Sequence, residues 1–246
     1  GAKDASDPCI GVGAAGVPGG GIIMSTICLS VMGLPLDIVP LYFELDGTFP
    51  NHEANPLDPK NLVDLQKFTV DKGADIGIAF DGDADRCFIV DELGDAVSPS
   101  AICCMIAERY LAQNPGATII HNLITSKAVP ELVTELGGRP VRTRVGHSFI
   151  KARMAEEHAV FGGEHSAHYY FSDFFNADSG MIAALHVLAT LGAQDKPLSE
   201  LKKAYSRYEA SGEINSEVAD QAGRTAAVVA AFADETVSAD DLDGAT

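Results

Sequence analysis

The chain is 246 residues long and 46% hydrophobic, enough to fill a core in one large domain or two ordinary ones. Its net charge of −18 argues against a nucleic-acid partner, because phosphate backbones need a basic surface, and any anionic ligand must find a local basic patch. Five cysteines, Cys9, Cys28, Cys87, Cys103 and Cys104, make no CxxC pair, so they suggest neither a disulfide framework nor a zinc site and fit a reducing cytoplasm.

Taken in chain order, the opening "GAKDASDPCIGVGAAGVPGGG" is rich in small residues and has no strand or helix period. The longest apolar run, "IIMSTICLSVM" at 22–32, is too short to span a bilayer and has no basic region ahead of it, so no membrane association is expected. Asp58-Pro59 predicts a capped helix running to Lys72, with Gly73 closing it in the left-handed conformation. "ADIGIAF" reads as a buried strand and "CFIVDE" as a second short one, with a domain seam near Gly94–Ser98.

Ser98-Pro99 opens a helix carrying Ile102, Met105 and Ile106 on one face. The order then repeats: strand "TIIHNL", a helix from near Ser126 with Pro130 in its first turn, strand "PVRTRV", helix "SFIKARMAEE", strand "AVFGG" and helix "SGMIAALHVLATL". A helix "LSELKKAYSRYE" and a strand within "ASGEINSEVAD" follow, and the acidic stretch after Phe232 reads as a disordered tail. Strands alternating with capped helices give an α/β fold class with mixed, mostly parallel sheets flanked by helices.

The loop "AFDGDADRCFIVDE" at 79–92 sets Asp81, Asp83 and Asp85 at alternate positions with Arg86 directly against them. Two carboxylates ~5 Å apart repel by ~3 kcal/mol at an effective dielectric of ~20, so a cation is the natural occupant. A solvated acidic turn is the plain alternative, although two flanking strands leave the charges little room to spread. A calcium loop of EF-hand type matches at Asp81, Asp83, Asp85 and Glu92 but puts Arg86 where glycine is needed and strands where helices are needed. A magnesium site fits better: hard oxygens converge on one ion and leave coordination open for a phosphate oxygen, which the planar fork of Arg86 can also grip. Phosphoryl transfer needs those two elements together.

Two further groups stand out. Glu164, Ser166 and His168 follow a Gly-Gly turn at alternate positions, so an extended segment points all three to one side. Such a comb suits vicinal sugar hydroxyls, or else forms a polar edge strand facing water. Arg142, Arg144, His147, Lys151 and Arg153 make a basic patch, in which His147 and Lys151 share a helix face and Gly146-His147-Ser148 sits where a helix N-terminus offers free N–H groups to a phosphate. His147, with an ordinary pKa of about 6.5, suits proton exchange or phosphate binding, while Arg142 and Arg153 are equally explained as solvated charges. His52 in "FPNHEANP" is accounted for by a turn and is left out of the site.

"DGDADR" resembles the metal-binding loop of the α-D-phosphohexomutases, the phosphomannomutase and phosphoglucomutase family. "RVGHSFIKARM" resembles that family's phosphate-contacting loop and helix, and "GGEHSAHYYF" its sugar-binding loop. The resemblance implies Mg²⁺ on Asp81, Asp83 and Asp85, catalytic roles for Arg86 and His147, and substrate contacts from Glu164, Ser166, His168 and Lys151. It implies residues 1–97 as the second family domain, 98–207 as the third, and 208–246 as the start of the fourth with an acidic tail. The implied partners are hexose phosphates and hexose 1,6-bisphosphate, interconverted as 6- and 1-phosphates, with mannose and glucose undistinguished.

The family's phosphoserine loop, Thr-Ala-Ser-His-Asn-Pro-like, and its Arg-x-Ser-x-Thr-type phosphate clamp do not occur here, so the chain reads as a fragment inactive by itself. The opening also departs, having "CIGVGAAGVPGGG" where an Asp-x-Gly-Asn-Gly turn is expected. A metal-binding module of structural role and an aspartyl phosphatase using Asp81 and Asp83 are the alternatives.

Overall fold

The fold is taken from a computed structural model that describes residues 9–14, 37–42, 46–210, 212, 216–235 and 242. The apolar run at 22–32 and most of the acidic tail lie outside the described residues, and Ala233–Glu235 of the tail form a 3-10 turn.

The opening stretch does contain a strand. β1 (Cys9–Ala14) pairs in parallel with β2 (Asp37–Leu41) on one side and β3 (Ile76–Phe80) on the other. A strand whose ladder is filled on both sides is held by its neighbours and needs no period of its own. The predicted helix splits into a 3-10 turn, Pro59–Leu62, and α1 (Val63–Lys72); the Asp58 carboxylate accepts from the Lys60 N–H, and Gly73 closes the helix at φ 60°. β4 (Cys87–Asp91) and β5 (Ala96–Val97) complete the sheet with antiparallel pairing. Every residue of β3 and β4 is buried, as continuous apolar strands covered on both faces must be.

α2 (Pro99–Gln113) begins at its proline and buries eight consecutive residues, Ser100 to Ala107, so it is enclosed on all sides. Then come β6 (Thr118–Asn122), α3 (Ala128–Glu135), β7 (Arg139–Thr143), α4 (His147–Glu157), β8 (Phe161–Gly163), β9 (Tyr169–Phe171), β10 (Ala177–Asp178) and α5 (Gly180–Leu191). Ser179 caps α5 by accepting from the Ile182 N–H.

The two sheets share one design. Their orders, β2-β1-β3-β4-β5 and β7-β6-β8-β9-β10, correspond strand for strand, with the first three strands parallel and the last two antiparallel. α5 packs against β3 and β4 of the first sheet and against α2, and α2 packs on β8 of the second. One buried apolar cluster therefore runs from Leu62 through Ile102 and Phe161 to Tyr205, across the seam at 94–98.

The C-terminal region differs from expectation. The helix expected over 198–209 is only α6 (Leu198–Leu201) and a 3-10 turn, Lys202–Ala204. Beyond it the chain bends away: the Tyr205 hydroxyl bonds Glu108, while Arg207 and Tyr208 reach Glu135 and Glu131 of α3. The described residues between 210 and 220 form no strand and are exposed, residues 211 and 213–215 of the expected strand lie outside the described residues, and α7 (Gln221–Ala231) follows, capped by Asp220.

Candidate active site

The hairpin that turns from β3 into β4 carries Asp81, Asp83 and Asp85 within reach of one another: one carboxylate oxygen from each lies within 4.8 Å of the others. Antiparallel strands flank it, which removes the EF-hand alternative. Asp81 is only 4% exposed, so a freely solvated turn is excluded too. Both Asp81 oxygens accept from Arg86, Oδ1 from its backbone N–H at 3.1 Å and Oδ2 from Nε at 2.6 Å, while Nη1 reaches Asn55 Oδ1 at 3.1 Å. Ala84 supports the turn at φ 62°.

Asp85 Oδ1 is buried with no hydrogen-bond partner. Burial, then the charges of Asp81 and Asp83, push the Asp85 carboxyl up to about 7. An orphaned oxygen in a repelling group of carboxylates is the condition a hard divalent cation relieves, so the residues present fit such an ion.

The corresponding hairpin of the second sheet, β8 to β9, carries Glu164, Ser166 and His168. It is not the extended comb that alternate spacing predicts. Glu164 N–H donates to the His168 carbonyl at 3.0 Å and Ala167 takes φ 71°, so the segment is a tight turn closed on itself. The three side chains still converge: the Ser166 hydroxyl lies 3.0 Å from His168 Nδ1, and Glu164 Oε2 lies 3.5 Å from the same nitrogen. Glu164 is 2% exposed and accepts at both oxygens, Oε1 from Asn122 at 3.0 Å and from the Gly146 N–H at 3.3 Å, Oε2 from the Tyr170 hydroxyl at 2.9 Å.

His147 opens α4 behind Gly146, whose φ of 125° admits glycine readily. Its Nδ1 lies 3.1 Å from Asp178 Oδ2 and 3.1 Å from the Tyr170 hydroxyl, and Lys151 Nζ lies 2.9 Å from Asp178 Oδ1. Burial works to raise the Asp178 carboxyl, but the bond from Lys151 and the nearby cationic groups outweigh it and hold it below the usual carboxylate value. Burial, then the neighbouring His147, depress His168. Of the remaining basic residues, Arg153 pairs with Glu156 and Glu157 on the helix surface, and the Arg144 guanidinium stacks on Phe149.

The two hairpins meet. Arg86 and His168 form an antiparallel bridge, Cys87 N–H donates to the Ala167 carbonyl at 3.2 Å, His168 Nε2 lies 3.6 Å from Asp85 Oδ2, and the His147 and His168 rings are 4.2 Å apart. Asp81, Asp83, Asp85, Arg86, His147, Lys151, Glu164, Ser166 and His168 thus belong to one connected group, whereas Arg153 of the basic patch pairs outside it. Four that sequence reasoning passed over join it: Asn55 on Arg86, Asn122 on Glu164, Tyr170 on Glu164 and His147, and Asp178 on His147 and Lys151. Asp178 stands just before the capping Ser179, where a carboxylate is explained locally, and only the return of β10 to β9 brings it beside α4. His52 contacts the Glu53 carbonyl and the Tyr42 ring, away from the group.

The family described as phosphoglucomutase/phosphomannomutase, alpha/beta/alpha domain II, matches residues 5–94, and domain III of the same family matches residues 98–208. The chain belongs to the phosphoglucomutase/phosphomannomutase family. It is 44% identical over 217 residues to the phosphomannomutase of Salmonella typhimurium, covering 88% of this chain and 48% of that protein. A phosphoglucomutase/phosphomannomutase family protein of Burkholderia thailandensis superposes with a TM-score of 0.75 at 33% identity, covering 82% of this chain and 43% of that one. The N-acetylphosphoglucosamine mutase of Aspergillus fumigatus, solved with GlcNAc-6P and magnesium, shares the fold at a TM-score of 0.56 and 14% identity over 81% of this chain and 46% of that one. The chain spans about half the length of the curated relatives it matches. Among the described residues no helix is long and apolar enough to cross a membrane.

Proposed function

We propose that this chain is the metal-binding and sugar-binding part of a phosphohexomutase, an isomerase that interconverts hexose 6-phosphate and hexose 1-phosphate through hexose 1,6-bisphosphate. In this reading residues 1–97 and 98–207 are the second and third family domains, and 208–246 begins the fourth. The observation that carries it is the junction of the two equivalent hairpins, which sets a cation-seeking carboxylate group beside a hydroxyl- and imidazole-bearing turn.

Asp81, Asp83 and Asp85 hold Mg²⁺, the hard cation that an all-oxygen donor set favours. Bound there, Mg²⁺ neutralises charge on a phosphoryl group in transfer. Arg86 anchors Asp81 and turns its remaining donor capacity toward phosphate oxygens. Glu164, held rigid by Asn122 and Tyr170, and Ser166 receive the ring hydroxyls, and rigidity there limits the ordering lost on binding. Lys151 and the N-terminal turn of α4 attract the substrate's second phosphate. Asp178 and the Tyr170 hydroxyl hold a proton on Nδ1 of His147, which leaves Nε2 to exchange one with substrate. His168, kept neutral by its surroundings, contributes a hydrogen bond.

Titrating the chain with glucose 1-phosphate and mannose 1-phosphate in the presence of Mg²⁺ tests this. Glu164→Ala and Ser166→Ala each weaken binding. Unchanged affinity in both removes the substrate site and leaves a metal-binding module of structural role.

A further inference from the structure

Beside the all-carboxylate group lies a second one of different chemistry. Asp85, His147, His168 and Asp178 each offer one ligand atom, and these atoms all lie within 4.8 Å of one another. A tetrahedron with metal–ligand bonds of ~2.0–2.1 Å has edges of about 3.3 Å. Two edges of this group are already near that length, His147 Nδ1 to Asp178 Oδ2 at 3.1 Å and His168 Nε2 to Asp85 Oδ2 at 3.6 Å.

The surrounding bonds are those that orient metal ligands. The Ser166 hydroxyl lies 3.0 Å from His168 Nδ1 and Glu164 Oε2 lies 3.5 Å from it, so the ring presents Nε2 to Asp85. Lys151 occupies Asp178 Oδ1 at 2.9 Å and leaves Oδ2 toward His147. The four ligands come from a hairpin of the first sheet, the start of α4, a hairpin of the second sheet and β10, so the packed fold holds them together. Two imidazoles and two carboxylates favour a borderline transition metal over the hard ion favoured by three carboxylates.

We infer that Asp85, His147, His168 and Asp178 form a second cation site, selective for Zn²⁺ and similar transition metals, and that it shares Asp85 with the magnesium loop. Binding displaces the proton from Nδ1 of His147 and engages Asp85, so Zn²⁺ and Mg²⁺ exclude one another. It also occupies His147 and His168, which makes Zn²⁺ an inhibitor competing with both metal and substrate. The exclusion, unlike the site itself, rests on the magnesium assignment above.

Calorimetric titration of the 246-residue chain with ZnCl₂, with and without saturating Mg²⁺, tests both parts. His147→Gln and His168→Gln are each expected to weaken Zn²⁺ by about tenfold or more with the Mg²⁺ response intact, whereas Asp83→Asn weakens Mg²⁺ and leaves Zn²⁺ unchanged. Zinc affinity unaffected by both histidine changes overturns the site. Histidine-dependent Zn²⁺ binding with no Mg²⁺ response at all keeps the site and overturns the magnesium assignment instead, and simultaneous binding of both ions overturns the shared Asp85. A readout free of variants is the visible spectrum of the Co²⁺-loaded chain: intense tetrahedral bands without thiolate charge transfer are expected, and weak octahedral bands overturn the site.

Discussion

Arg86 shows how a side chain selected for one role is committed to a second. Sequence alone suggests a guanidinium that grips a phosphate oxygen beside the metal, but the structure ties both oxygens of the 4%-exposed Asp81 to it. Removing it leaves a buried carboxylate unpaired. Arg86→Ala is expected to destabilise the chain by roughly 2–3 kcal/mol, below the figure for a fully enclosed pair because the Arg86 side chain is 20% exposed, and to weaken Mg²⁺ as well. Urea denaturation and magnesium titration of the same variant check this; full stability with metal affinity retained would return Arg86 to a purely phosphate-binding role. His186 offers a pH test. Burial, then the Arg109 charge, lower it from 6.5 to about 4, and its Nδ1 accepts from Arg109 Nε at 3.2 Å while its ring stacks on Phe171. The unfolded chain takes up a proton near pH 6.5 and the folded chain resists it until about 4, so this residue contributes stability that is present above 6.5 and lost as pH falls through that window. His186→Gln is expected to flatten the decline of the urea midpoint between pH 7 and pH 4; an identical decline in both proteins would refute it.

The junction of α5 with the acidic loop at 81–86 depends on a missing side chain. Gly180 N–H donates to the Ala84 carbonyl at 3.0 Å, and a Cβ at Gly180 would lie 2.3 Å from the Arg86 carbonyl oxygen and 2.9 Å from that of Ala84. Both contacts are backbone, so relief requires the loop itself to move. Gly180→Ala is expected to cost about 1–3 kcal/mol and to lower Mg²⁺ affinity although residue 180 carries no ligand. Magnesium binding equal to that of the unaltered chain would mean that α5 does not position the loop.

Because one apolar cluster joins both sheets through α2 and α5, the two units are expected to unfold together. Urea transitions followed by far-ultraviolet circular dichroism and by tyrosine fluorescence should coincide, and two separated transitions would show that each sheet keeps a core of its own. Catalysis asks for more than a shared core. The sequence contains no Thr-Ala-Ser-His-Asn-Pro-like loop to supply a phosphoserine, so no turnover is expected from this chain in a coupled mutase assay with Mg²⁺ and a hexose 1,6-bisphosphate. Robust turnover would demand another nucleophile, with Asp81 and His147 the first to replace.

Local chemistry was enough to locate much of this protein. The Asp58 cap, Gly73 at φ 60°, Pro99 at the start of α2 and the buried strand "IGIAF" are short-range features, each set by a residue and its immediate neighbours, and all four were legible in the sequence. The grouping of the carboxylates at 81–85 and of Glu164, Ser166 and His168 was legible for the same reason, since charge repulsion and a Gly-Gly turn act within a few residues. Pairing between distant segments was not. β1 is made by partners 28 and 66 residues away, at Asp37 and Ile76, and leaves no period in its own sequence. The comb at 164–168 became a turn because the hairpin had to return to β9, and the described residues of the strand expected at 210–220 pair with neither sheet. Asp178, Tyr170 and Asn55 look like an ordinary carboxylate, aromatic and amide in the chain. Only tertiary folding brings them to Lys151, Glu164 and Arg86, through the return of β10 to β9 for Asp178, the β8–β9 hairpin for Tyr170 and the packing of residue 55 against the acidic hairpin for Asn55, because burial forces each polar group to find its partner wherever the fold has carried it.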